Sequence, residues 1–75
     1  MTSRDAIRAV YAQVRAPEWA APNLDGLLDV LRDLSWLPEG PVVLDVPSDD
    51  RVRSVLRQAA DETAAGSRPI VLREV

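Results

Sequence analysis

The sequence predicts an α/β domain in which three helices pack on a short, mainly parallel sheet of two strands. Three observations lead there. Three segments repeat apolar residues at helical spacing, and two short β-branched runs, PVVLDV and PIVLREV, read as strands. The third helical segment lies between those runs, so a helical crossover joins the strands and makes them parallel.

The first helix covers roughly residues 3–15. Ile7, Val10, Tyr11 and Val14 fall at i, i+3, i+4 and i+7, one apolar stripe, and Thr2 with Asp5 matches capping-box spacing. Pro17 ends this helix, and APEWAAPN (16–23) is an ordered loop bounded by Pro17 and Pro22. Asn23 caps a second helix, LDGLLDVLRDL (24–34), in which Gly26 costs about 1 kcal/mol relative to alanine. SWLPEG (35–40) turns the chain into the first strand, 41–46, which Pro47 closes.

Ser48 is the expected cap of the third helix, with Asp49 and Asp50 as favourable charges in its first turn. Its inner stripe is Val52, Val55, Leu56, Ala59 and Thr63, and Gly66 is the expected C-cap. The second strand runs over 69–75. The order is α–α–β–α–β, and 75 residues make one domain, 1–75, without room for both a full core and a deep catalytic cleft.

Composition narrows the function. The formal charge is −3, and every one of the nine bases is an arginine. A chain that binds nucleic acid through phosphates is basic, so nucleic acid is not the expected partner. Arg4, Arg8 and Arg15 share one side of the first helix, but an acid interrupts them and they read as a solvated face. With no histidine, cysteine or lysine the chain lacks the usual bases and nucleophiles. It reads as a non-enzyme, without metal or cofactor. The N-terminus has no apolar core of a secretion signal and no stretch reaches transmembrane length, so the expected setting is the cytoplasm, with no membrane partner.

On a helical wheel the second helix gathers Leu24, Leu27, Val30, Leu31 and Leu34 on one side and Asp25, Asp29 and Asp33 on the other, with Leu28 at the seam. Aspartates at i, i+4 and i+8 repel one another by a few tenths of a kcal/mol per pair, and only Asp25 gains from the helix dipole. Helix stability does not account for the row. A solvated face does, and so does an arginine-rich partner, because carboxylates can occupy positions that phosphates take in a nucleic-acid site. Glycoside hydrolysis needs carboxylates opposed across a cleft, and calcium needs clustered oxygen ligands; adjacent acids on one helix supply neither.

The preceding loop favours the partner. PEWAAPNLDGLLDVL (17–31) resembles the recognition segment of the barstar family, which runs Pro-Glu, an aromatic pair, Gly-x-Asn-Leu-Asp, a small residue, Leu, an aromatic and Asp. Pro17, Glu18, Trp19, Asn23, Leu24, Asp25, Leu27 and Asp29 fall in register without a gap. The later order of strand, helix, glycine and strand also follows the family, so the resemblance covers roughly residues 3–74. It implies a barstar-like fold and a one-to-one inhibitor that plugs the active site of a secreted microbial ribonuclease, barnase-like and guanyl-type. By the same resemblance Asp29 reaches the enzyme's phosphate-binding arginines and catalytic histidine, and Asp25 pairs with a neighbouring base. Trp19 covers the catalytic pocket and Asp61 corresponds to a peripheral family glutamate; Leu28 and Asp33 complete the expected partner-binding set.

The chain departs from the family at Ala20, Ala21 and Leu28, where the second loop aromatic, the glycine and the helix aromatic would stand. A less aromatic interface implies a cognate enzyme different from barnase. The family also begins with a strand before its first helix, whereas only Met1 and Thr2 precede the helix here. The expectation is a two-stranded sheet, with any third strand supplied by a partner chain or a longer natural start, and weak homo-oligomerisation follows as an option. An interaction module for another basic protein is the alternative function. Among the remaining residues, Trp36 reads as core, Glu18 and Asp61 taken alone read as ordinary surface acids, and Trp19 fits a residue that pins its loop as well as an interface contact.

Overall fold

The computed structural model describes residues 2–74 and has the expected element order: α1 (Ser3–Val14), α2 (Leu24–Asp33), β1 (Val42–Asp45), α3 (Asp50–Thr63) and β2 (Ile70–Arg73). The two strands pair in parallel, Val42 opposite Ile70 and Asp45 opposite Arg73, so the architecture is α/β with three helices on a two-stranded sheet. Met1 and Val75, the ends of the expected single domain and of the expected second strand, lie outside the described residues.

Alternation along the strands sets the layers. Leu44 and Ile70 point inward and are buried, whereas Val43 and Val71, paired in register, face outward and stay about half exposed. The core is aliphatic apart from Tyr11: Ile7, Val10, Tyr11 and Val14 from α1, Leu27, Val30, Leu31 and Leu34 from the α2 segment, and Val52, Leu56 and Ala59 from α3. No polar or charged residue among those described is buried, so every charge acts from the surface. Leu24, Val55 and Thr63, expected on inner stripes, are half-buried at the margins, and Trp36 packs against the core without entering it.

Helix ends show where local chemistry chose differently from the expectation. Thr2 and Asn23 cap as expected: the Thr2 hydroxyl accepts from the Asp5 amide at 3.1 Å and Asn23 Oδ1 accepts from the Gly26 amide at 2.7 Å. The cap of α3 is Asp49, not Ser48. Its carboxylate accepts from the Val52 amide at 3.0 Å and from the Ser3 hydroxyl at 2.9 Å, a second bond that ties α3 to the start of α1. An ionised acceptor makes the stronger cap.

Gly66 is not a C-cap either. Helix α3 ends with Ala64 in right-handed conformation, and the Thr63 hydroxyl closes the end by donating to the Ala59 carbonyl at 2.8 Å while accepting from the Ile70 amide at 3.1 Å. One side chain thus joins the last turn of α3 to the first residue of β2. The non-glycine residues with left-handed backbone, among those described, are Arg15 (φ 54°) and Leu34 (φ 50°), directly after α1 and α2. Arg15 rather than Pro17 therefore reverses the chain after α1, and the Ala16 amide donates to the Tyr11 carbonyl at 2.9 Å. Leu34 buries its side chain in return for its strained backbone, whereas Arg15 is exposed.

The sheet has a feature with no warning in the pattern of apolar residues. On β1, away from β2, the Gln13 side-chain amide donates to the Asp45 carbonyl at 3.0 Å and accepts from the Asp45 amide at 2.7 Å. Both backbone groups of Asp45 are satisfied as a neighbouring strand would satisfy them. Across the ladder the Asp45 carboxylate accepts from Arg73 Nε.

Two outcomes are expected. Replacing Arg15 by glycine removes left-handed strain of about 1–2 kcal/mol and adds about 0.4–1 kcal/mol of unfolded-chain entropy, so Arg15→Gly gains up to about 1.6 kcal/mol in urea denaturation. The Arg73 hydrogen bond holds the Asp45 carboxyl below its ordinary value, and the Val52 amide followed by the Ser3 hydroxyl does the same for Asp49. Groups lowered on folding stabilise fully above the ordinary aspartate value of about 3.9 and lose that contribution as pH falls through their folded-state values. Urea midpoints should decline below about pH 4, and less steeply in Asp49→Asn, which keeps a good cap without the titration.

Candidate functional site

The site begins in the last turn of α1, which holds the 16–23 loop at two places. Tyr11, on the apolar stripe of α1, sends its hydroxyl to the Ala21 carbonyl at 2.6 Å. The same carbonyl lies over α2 where Gly26 has no side chain; a Cβ there would sit 2.5 Å from the Ala21 oxygen. Loop and helix can approach this closely only over a bare Cα. Gly26, which helix propensity counts as a cost, is what lets the loop close on α2.

The second hold runs through the tryptophans. Trp36 Nε1 donates to the Val14 carbonyl at 2.8 Å, satisfying a group that the end of α1 leaves without an intrahelical partner. Trp19 meets Trp36 edge-to-face, with centroids 6.2 Å apart and planes at 88°. Trp19 nevertheless remains 63% exposed, more than any other large apolar residue described. A turn bond from the Ala20 amide to the Pro17 carbonyl at 3.0 Å fixes the backbone around it. The ring is anchored at one edge and open elsewhere.

Helix α2 then presents its acids. Asp25, Asp29 and Asp33 are all exposed, and Leu28 is half-buried between them and the core. None of the three takes part in a salt bridge or side-chain hydrogen bond among the described residues, and neither does Asp61. Elsewhere some acids are engaged, Asp45 with Arg73, Asp50 with Arg53, and Glu74 with both Arg53 and Arg57, whereas Asp5, Glu18 and Glu39 join no salt bridge among the described residues. Asp29 is felt by its neighbours. The Tyr11 phenol titrates above its ordinary value, first because it is buried and then because of the Asp29 charge.

Trp19, Asp25, Leu28, Asp29 and Asp33 therefore lie along one continuous stretch of loop and helix. Asp61 is separate, exposed on α3 one residue before Glu62. Glu62 crosses to α2 and takes Arg32 in a two-pronged pair, Nη2 to Oε1 at 2.9 Å and Nε to Oε2 at 3.3 Å. Among the described residues no three acids converge as metal ligands, and no helix is long and apolar enough to cross a membrane.

The family model described as Barstar (barnase inhibitor) matches residues 1–72, nearly the whole chain. The chain belongs to the barstar family. No curated protein and no solved structure matches it. Members of the barstar family are inhibitors rather than enzymes, and the loop and acidic face described above lie within the matched residues. Sequence reading missed three residues in this barstar-family chain. Tyr11 looked like a core residue, Gly26 like a helix defect, and Glu62 was not singled out. The signals were a hydroxyl on an otherwise apolar stripe and a glycine at the family's small-residue position; nothing local marked Glu62.

Gly26→Ala separates the two roles of the glycine. Helix propensity alone favours alanine by about 1 kcal/mol, whereas crowding a carbonyl already held by Tyr11 costs about 1–3 kcal/mol. The expected outcome of chemical denaturation is a net loss of stability; a more stable variant would mean that the Ala21 carbonyl is free to move away.

Proposed function

We propose that this chain is a stoichiometric inhibitor of a microbial guanyl-type ribonuclease, which it binds one-to-one through the Trp19 loop and the acidic face of α2. Membership of the barstar family over residues 1–72 carries the reading. The unpaired acids support it. Asp29 is the central anion, taking the place of a substrate phosphate among the enzyme's active-site arginines. Asp25 pairs with a neighbouring base, Asp33 extends the field, Leu28 and Trp19 fill apolar ground around the charged centre, and Asp61 adds a peripheral contact. The inhibitor works by occupying the site, without turning over RNA, and requires neither cofactor nor membrane. Its place of action in this reading is the cytoplasm of a bacterium that makes the secreted enzyme, as one half of a toxin–antitoxin-like pair.

The substitutions at the family's aromatic positions, Ala20 and Leu28, favour a cognate enzyme whose rim differs from that of barnase. A basic protein that is not a nuclease is the other partner consistent with those two positions.

Titration against a panel of guanyl-type ribonucleases tests the reading. Inhibition saturating at one-to-one with at least one enzyme is expected; no effect on any of them points to the other partner. Association should slow as salt rises, because exposed acids steer a basic partner only within a Debye length of about 8 Å at physiological ionic strength. Asp29→Ala should weaken binding by about 2–5 kcal/mol, the range for truncating one partner of a buried charge pair and one that barnase–barstar itself helps to define. Its thermal midpoint should stay near that of the parent. Unchanged affinity would remove Asp29 from the interface.

A further inference from the structure

Arg32 is the one cation on α2, and it sits three residues after Asp29. An acid followed at i+3 by an arginine is a pairing that isolated helices form readily. Here it does not form. The guanidinium turns away from its own helix and gives both prongs to Glu62 on α3, at 2.9 and 3.3 Å. Both side chains remain substantially exposed, so the pair adds little to stability by the usual measure of surface ion pairs. Its effect on the field of α2 is larger. The Asp29 charge still reaches the guanidinium and raises its titration, after the Glu62 hydrogen bond, but no direct Arg32–Asp29 ion pair forms among the described residues.

We propose that Glu62 is a positioning residue that sequesters Arg32 on the α3 side and so keeps Asp29 free of a direct ion pair and open to a basic partner. The proposal rests on the reading of the α2 acidic face as the partner-binding surface. Glu62 touches no partner in this scheme. It acts through Arg32 by satisfying the α2 cation that would compete with the partner for Asp29, and the bidentate geometry fixes the guanidinium more firmly than a single contact would.

The chain has a single tyrosine, and the charge of Asp29 raises the titration of that phenol after burial has done so. Tyr11 is therefore a built-in reporter of whether Asp29 is neutralised, readable by ultraviolet difference absorbance without any partner. In Glu62→Gln the freed Arg32 should pair with Asp29 and move the Tyr11 midpoint down, the direction also expected of Asp29→Asn. In an Arg32→Gln background, Glu62→Gln should leave the midpoint where Arg32→Gln alone puts it. No shift in Glu62→Gln, or the same shift in both backgrounds, would overturn the proposal. If the fold gives way before Tyr11 ionises, the Arg32 Nε–H resonance at neutral pH decides instead. In Glu62→Gln it should respond to Asp29→Asn, and indifference to that change would overturn the proposal.

Barnase serves as the probe for the binding arm. Glu62→Gln should slow association several-fold at low salt, and Arg32→Gln/Glu62→Gln, with one base and one acid fewer and the parental charge of −3, should restore it. Slow association that persists in the double variant would count against a role through Arg32. Failure of the parent chain to bind barnase would count against this enzyme as partner, while the Tyr11 comparison would still decide the role of Glu62.

Discussion

The carbonyl of Ala21 is where three parts of this small protein meet. The Tyr11 hydroxyl holds it from α1, and the bare Cα of Gly26 leaves room for it over α2. Because Tyr11 also belongs to the buried stripe of α1, the loop is tied to the core by a residue that cannot swing away without unpacking. The same last turn of α1 offers the Val14 carbonyl to Trp36, against whose ring Trp19 stands. Two hydrogen bonds and one aromatic contact thus set an exposed tryptophan and a row of aspartates in fixed relation. Preorganisation of this kind would lower the entropy cost of docking a partner at the proposed site on the loop and α2.

Electrostatics follows from the absence of buried charge among the described residues. With a core of aliphatic side chains and Tyr11, acids and bases share one surface and can find one another, and several do: Asp45 with Arg73, Glu74 with two arginines, Glu62 with Arg32. Against that background the unengaged acids of α2 stand out more than the net charge of −3 does. A modest overall charge is compatible with a locally negative face because the single arginine of α2, Arg32, is paired with Glu62 on α3. The distribution, not the sum, is what a basic partner would meet.

Much of this was legible in the sequence, for identifiable reasons. Helical periodicity and β-branched runs depend on burial, and the core turned out to be made of the residues that carried those patterns, from Ile7 and Val10 to Leu56 and Ala59. The acidic row of Asp25, Asp29 and Asp33 was legible because spacing on one helix requires no tertiary knowledge. What escaped was every decision made between elements. Asp49 displaced Ser48 as a cap because Ser3, far away in sequence, gave its carboxylate a second donor. Thr63 displaced Gly66 because the start of β2 supplied an amide for its hydroxyl. Gly26 and Glu62 make sense only once the loop lies on α2 and α3 lies beside it.

The Gln13 amide on the outer side of β1 bears on a different risk. A sheet of two strands has as much unpaired backbone as paired, and its outward valines, Val43 and Val71, would suit a neighbour arriving in extended conformation. By occupying both backbone groups of Asp45, Gln13 leaves an incoming strand on that side without two of its hydrogen bonds unless α1 first lets go. A glutamine on a helix therefore does the work of a gatekeeper, guarding a short sheet against cross-β growth while leaving the rest of the surface open to specific recognition.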